Sequence, residues 1–297
     1  VKNLFLAGGH ASCTSRASAS LRHPPTSAQL GEATGLAAVL CIRLNRLPRT
    51  LSKTGYVDEL RRLLFRSNHV FSISPPEDPD DLLADSKVSA STSLGVFTPT
   101  NSGRPMASTP AKGMVQFPVV GPKLHGVRLF LEVRDNCLVQ FGLFEASSHL
   151  TVSPGICLDR VEIEFEKGHV GWIEIPFEIG IETPGWHFLE FSWGGNVMLF
   201  EQKDAPVGIL LHRAVRPSGS GVSNPYSEFS AVTSLVPEPS CAPMVETVPK
   251  QSVYGPENLI NGRMRPDRLP QLWISEPTDF RYPEFLEFHW EKPRDIS

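Results

Sequence analysis

Apolar positions along this chain recur with two different periods, and the change between them falls near residue 86. Ala28, Leu30, Ala33, Leu36, Ala37, Leu40, Cys41 and Leu44 return at helical spacing. A second helical stretch over residues 54–67 places Val57, Leu60, Leu63 and Leu64 on one face, with Asp58 and Glu59 early and Arg61, Arg62 and Arg66 late, as the helix dipole prefers. From Lys87 onward the period is two. Runs over 87–90, 114–120, 127–133, 138–144, 161–165, 170–175, 186–191 and 197–200 alternate or are rich in β-formers. Turn signals at Asp135-Asn136, Lys167-Gly168, Pro184-Gly185 and Gly194-Gly195-Asn196 separate them. The pattern predicts an α+β multidomain chain: a βα piece first, then an all-β sandwich.

Composition shifts place the boundaries. Residues 1–71 hold the helical piece, 72–85 (SPPEDPDDLL at its heart) read as a linker, and 86–211 as the sandwich, with a long Ser/Thr/Gly/Pro-rich loop over 91–113. Residues 212–251 carry Pro217, Pro225, Pro237, Pro239, Pro243 and Pro249 and read as a connector. Residues 252–297 form a last, separate segment.

The opening stretch alone points to chemistry. Leu4 to Ala7 read as a short buried strand stopped by Gly8-Gly9, followed by a polar loop. Pro24-Pro25 keep the chain extended before Thr26, which with Gln29 resembles a capping box opening the first helix. Gly31, Gly35 and Ala38 leave one helix face nearly bare, an expected place for close packing against another backbone. A strand, a glycine turn and a helix N-terminus without acidic side chains make a seat for an electron-rich ligand group.

These residues resemble the FAD-dependent oxidoreductases of bacteria, in which an NLF-hydrophobic-AG strand leads through a loop ending in Arg and Pro-Thr into a G-x-A-x-G-x-A-A helix. Here that reads Asn3-Leu4-Phe5-Leu6-Ala7-Gly8, then Ser12, Ala17, Arg22 and Pro25-Thr26, then Gly31 to Ala38. The resemblance covers roughly a sixth of the chain. It implies that Gly8 and Gly9 lie near the ribityl or pyrophosphate part of FAD and that the N–H groups of Thr26, Ser27, Ala28 and Gln29 face the isoalloxazine ring. Ser12 and Arg22 complete the implied cofactor-binding set. Where the family often has Arg, and related flavoproteins Asp, this chain has Gly9, so that contact is missing or supplied by His10. The first βαβ unit with its G-x-G-x-x-G turn is absent from these residues. The expectation is therefore the C-terminal portion of a longer FAD-dependent oxidoreductase of unknown substrate, inactive without the half that holds the ADP moiety. No catalytic residue declares itself: His10 and Cys13 lie close in sequence, with no third group to orient them.

In the last segment, Glu257 to Gly262, Leu272-Trp273-Ile274-Ser275 and Pro283 to Phe288 resemble the opening of a discoidin-like, galactose-binding-type sandwich, here about half present. In many such domains the first part holds the fold together or a calcium ion. Trp172, Trp186 and Trp193 raise a sugar-stacking reading, and with it a carbohydrate-related substrate, although a strand Trp more often fills a core. The competing function is a polysaccharide-binding or structural β-sandwich protein with a vestigial βα segment. A formal charge of −4 gives no basic field for nucleic acid. No apolar run approaches the roughly 20 residues of a membrane span. His125, His149, His169 and His187 lack metal-ligand spacing, and five cysteines form no C-x-x-C pair; Cys137 and Cys157 either bridge or are buried free thiols. An extracytoplasmic location is the expectation.

Overall fold

The computed structural model describes residues 2–69, 77–94, 103–148, 151–202, 207–214, 229–231, 242–263, 269–276 and 283–295. Contacts divide the chain into two units, Val1–Ala84 and Asp85–Ser297. The connector prolines before Pro243, together with Cys241 and His149, lie outside the described residues, as does the start of the linker.

The first unit holds helices α1 (Ser15–Leu21), α2 (Pro24–Arg43) and α3 (Thr54–Arg66), with 3-10 turns at Gly8–His10 and Pro48–Ser52. The stretch read as a polar loop contains α1, because Thr14 Oγ1 caps it by accepting from the Ala17 N–H at 3.3 Å. Ala37, Leu40 and Cys41 of α2 bury against Leu51, with Phe5, Tyr56, Leu60 and Leu63 packed around them. Helix α2 ends before Pro48 is reached: Asn45 takes φ 49°, and the Asn45 and Arg46 N–H groups donate to Ile42 and Cys41, a Schellman closure. Asp58 and Glu59 pair with Arg61 and Arg62 one turn on, and Arg66 forks onto Asp78 and Asp80. That guanidinium holds the Asp78 carboxyl below the ordinary carboxylate range.

Leu4 to Ala7 do not form the buried strand expected of them. Ala7 is extended (φ −136°, ψ 165°), but the segment pairs with no strand among the described residues. Phe5 turns inward while Leu4 and Leu6 face out. Its burial alternates as in an extended segment with one covered face.

The second unit is antiparallel throughout. Its strands are β1 (Lys87–Ala90), β2 (Arg104–Pro105), β3 (Lys112–Val119), β4 (Lys123–Val133), β5 (Cys137–Ser148), β6 (Thr151–Phe165), β7 (Val170–Gly180), β8 (Gly185–Ser192), β9 (Val197–Gln202), β10 (Leu210–Ala214), β11 (Phe229–Ala231), β12 (Ala242–Pro243), β13 (Val245–Val248) and β14 (Leu286–His289). One sheet runs β11-β10-β3-β8-β5-β6. In the other, β4 pairs β7 on one side and both β9 and β13 on the other, with β2 and β12 on β9. Thus the fold is α+β and multidomain, as the periodicities predict. Residues read as connector supply β13 to the sheet.

Alternation explains the core. Val115, Phe117 and Val119 of β3, Phe141 of β5 and Leu189 and Phe191 of β8 meet Leu129 and Leu131 of β4 and Ile175 and Phe177 of β7 in one buried cluster. Trp193 lies in that cluster, stacked on Phe191 with centroids 3.8 Å apart, its Nε1 donating to the Pro110 carbonyl at 2.9 Å. Strand β6 begins well before the run read from sequence. Pro154 and Gly155 mimic a turn there, and the β5–β6 register shifts between Leu143 and Ser148 absorb them.

A bridge between Cys137 and Cys157 is ruled out by this register. Cys137 sits opposite Phe165 and Cys157 opposite Phe144, which places the thiols roughly 20 Å apart along the hairpin. Cys137 is half-buried and Cys157 exposed, so neither is the fully buried thiol of the alternative reading.

The pairing of β1 with β14 joins two stretches far apart in sequence. Around it, Trp273 Nε1 donates to the Thr92 carbonyl at 2.9 Å, and Leu94 N–H donates to the Ile274 carbonyl. The buried Asn258 amide donates to the Val253 and Leu272 carbonyls. Asn258 is thus a fold-holding residue. Gln251 Oε1 accepts from the Val120 and Gly121 N–H groups, tying this region to the β3–β4 turn.

Two measurements test this architecture. Leu129 is fully buried, so Leu129→Ala should cost about 3 kcal/mol in urea unfolding of the sheet unit. His187 and His212 are buried, and burial lowers the pKa of each imidazole below its ordinary value. Both stay neutral in the fold while the unfolded chain takes up protons below about pH 6.5. Stability is therefore full above that value and falls as pH drops through it. His212→Gln, which removes one such group, should flatten the dependence of the urea midpoint on pH between about 7 and 5.

Candidate cofactor seat

Gly8 adopts φ 57°, a conformation only glycine takes at low cost, and this lets the extended Leu4–Ala7 segment fold into the Gly8–His10 turn. That turn and α1 both pack against α2. Arg22 is the C-cap of α1, its N–H donating to the Ser18 carbonyl at 3.1 Å. Gly9, Ser12, Arg22, Ala28 and Gln29 are exposed, while Gly8, Thr26 and Ser27 are half-buried.

The N-terminus of α2 differs from the expected cap. The helix starts at Pro24, and its cap residue is His23, which makes no side-chain cap hydrogen bond. Thr26 is therefore the third helical residue and not the cap, and the capping-box reading with Gln29 falls. Ser27 N–H donates to the His23 carbonyl at 2.9 Å, and from Ala28 on the amides are in register with the helix's own carbonyls. Pro24 and Pro25 have no N–H to offer. Among the described residues the first turn consequently keeps one orphan donor, the N–H of Thr26. Ser27 is further engaged, its Oγ donating to the Leu21 carbonyl at 2.7 Å. A helix dipole with a single open N–H and no acid in its first turn favours one electron-rich atom rather than a diphosphate.

The bare face of α2 stays bare. A Cβ built on Gly8, Gly9, Gly31 or Gly35 meets nothing within 4 Å, so the close backbone packing expected at Gly31 and Gly35 is not made among these residues. Gly31, Gly35, Val39 and Ile42 form an exposed row along the helix, opposite the buried Ala37, Leu40 and Cys41. Leu4 and Leu6 also point outward, so the uncovered apolar residues of this unit include both segments. Nothing in the sequence alone marks Thr26 as the open donor; the signal is the Pro-Pro pair once the helix start is known.

The remaining candidates fall into two groups. His10 and Cys13 are both exposed, and no side-chain bond joins them among the described residues. Trp172 lies edge-on to Phe130 at 5.6 Å, with the Arg128 guanidinium 5.3 Å over its ring. Trp186 packs against Gly208, which has φ 104°. Among the described residues no group of His, Cys, Asp and Glu could hold a metal ion. No helix there is long and apolar enough to cross a membrane.

The site is thus a helical segment whose first turn holds no acid and whose preceding turn needs a positive-φ glycine. Residues 1–64 match the family model described as FAD dependent oxidoreductase. They form a partial FAD-dependent oxidoreductase domain, followed by antiparallel β-sheet. No curated protein matches the chain. No solved structure matches it either.

The turn can be tested apart from any ligand. Gly8 and Gly9 both have open space at Cβ, but only Gly8 has a positive φ. Gly8→Ala should destabilise the helical unit by roughly 1 kcal/mol more than Gly9→Ala, read from thermal unfolding at the helix band.

Proposed function

We propose that residues 1–64 are the closing part of a flavin-binding domain and that the protein they belong to is an FAD-dependent oxidoreductase. The observation that carries this reading is the family match over a segment that holds a positive-φ glycine turn and a helix start with one open N–H, at Thr26. In this proposal Gly8 and Gly9 let the backbone approach the ribityl chain or the pyrophosphate. Thr26 donates to an electron-rich atom of the isoalloxazine ring, and Arg22 adds positive charge at the same end. Ser12, Ser27, Ala28 and Gln29 line that end as neutral surface. When bound, the flavin supplies the redox chemistry; the residues here orient it and keep acidic groups away from its electron-rich edge.

The residues fit the ring better than the diphosphate, which needs several free amides. A G-x-G-x-x-G unit outside these 297 residues is therefore assigned to the ADP half. The uncovered Gly31–Gly35 row and the outward Leu4 and Leu6 support this, since they offer a surface for the remainder of such a domain. The two sheets that follow are proposed to be a β-sandwich accessory module, and the segment around Asn258 a galactose-binding-like one. The substrate is a small molecule.

The test is a flavin absorbance spectrum. A polypeptide joining these residues to the dinucleotide-binding unit should carry one flavin per chain, and Thr26→Pro, which deletes the open N–H inside the first turn, should lower its affinity roughly tenfold. The 297 residues alone should bind FAD weakly or not at all. A folded joined polypeptide with no flavin would overturn the reading, and stoichiometric flavin on the 297 residues alone would overturn the assignment of the ADP half.

A further inference from the structure

We infer that the C-terminal end of α2 and the turn after it form a peripheral docking surface for an anionic lipid bilayer. This inference does not rest on the flavin reading.

The sequence from Ile42 to Lys53 mixes apolar and basic residues without a single acid; none occurs between Glu32 and Asp58. Ile42, Arg43, Leu44, Asn45, Arg46 and Leu47 are exposed in unbroken succession, followed by exposed Arg49 and Lys53. Ile42 is 80% exposed and Leu47 50%. Lone exposed apolar residues are ordinary, but here Val39, Ile42, Leu44 and Leu47 lie uncovered within nine positions. Arg43, Arg46, Arg49 and Lys53 form no ion pair among the described residues, whereas Arg61, Arg62 and Arg66 of the next helix all do.

The Schellman closure sets the arrangement. In that motif the residue after the αL position commonly packs an apolar side chain back onto the helix. Here that position is Arg46, so no such contact closes the end, and Leu44 and Leu47 remain outside. One basic residue at a helix C-terminus is explained by the dipole. Four, with four apolar side chains among them, exceed that need.

Charge complementarity selects the occupant. A partner must offer negative charge and, within a side chain's length of it, an apolar layer. The headgroup region of an anionic bilayer has both, and short basic-apolar surfaces bind it through side-chain insertion plus electrostatic attraction. The patch is also well placed. Helix α2 has 20 residues and so is roughly 30 Å long, which puts the patch at the opposite end from Thr26. Docking there leaves the candidate cofactor seat clear.

The test is co-sedimentation of the 297-residue chain with phosphatidylcholine vesicles that contain or lack phosphatidylglycerol. The chain should sediment with the anionic vesicles, stay in solution with the neutral ones, and be released by added salt. The pair Ile42→Ser and Leu47→Ser, and separately the triple Arg43→Gln, Arg46→Gln and Arg49→Gln, should each lower partitioning roughly tenfold or more with the helical circular dichroism unchanged. Lys167→Gln, in the sheet unit, should leave it unaltered. A folded chain that ignores anionic vesicles at low salt overturns the inference. So does sedimentation untouched by the Ile42 and Leu47 changes, and so does equal, Ile42-independent retention on immobilised polyglutamate, which identifies an acidic protein instead.

Discussion

Strand β4 carries the sheet unit. It is hydrogen-bonded along both edges, to β7 on one side and to β9 and β13 in succession on the other, and Leu124, Val127, Leu129, Leu131 and Val133 all point into the core. With both backbone edges satisfied and one face fully buried, its register is fixed: a one-residue slip would turn five core side chains to the outside. The bulge between Leu124 and Gly126 is the one place where the ladder yields. There the Gly126 Cα already lies close to the Ile175 carbonyl, and an added Cβ would stand 3.0 Å from it.

What the sequence reveals follows from what is local. The periods that separate α2 and α3 from the strands are properties of neighbouring residues, and they place most elements correctly. Pairing is not local. Nothing near Lys87 says that its partner is His289 rather than a strand of the adjacent sheets, and nothing near Val245 says that it completes the edge of β4. Short-range signals misled where two readings compete. Ser15 to Ser20 look like a loop until the Thr14 cap is counted. At the candidate seat the residue types were legible. The helix start was not, because Pro-Pro serves equally as an extended lead-in or as the first turn of a helix, and that choice decides which amides are free.

Helix α2 has two faces and two ends with different tasks. One, through Ala37, Leu40 and Cys41, packs against the Pro48–Ser52 turn and α3 and makes the first unit a folded body. A second, through Gly31 and Gly35, is smooth and uncovered. The ends differ as well: the first turn has neither an acid nor a full set of free amides, and the last carries Arg43, with Arg46 and Arg49 just beyond it. A single 20-residue helix thus concentrates most of the unit's capacity for contact with other molecules, while α3, with its ion pairs closed within itself and onto Asp78 and Asp80, has little left to offer.

The pairing of β1 with β14 makes the sheets a mechanical bypass. Lys87 stands opposite His289 at one end of the two-strand ribbon, and Ala90 opposite Leu286 at the other. Tension applied through the chain before Lys87 and after His289 enters the ribbon at the same end. It therefore opens the pairs one at a time, as a zipper, and does not shear them together. Until the ribbon parts, the strands between Ala90 and Leu286 carry no load. The ribbon is thus a clasp that yields first under tension and shields the larger core from it.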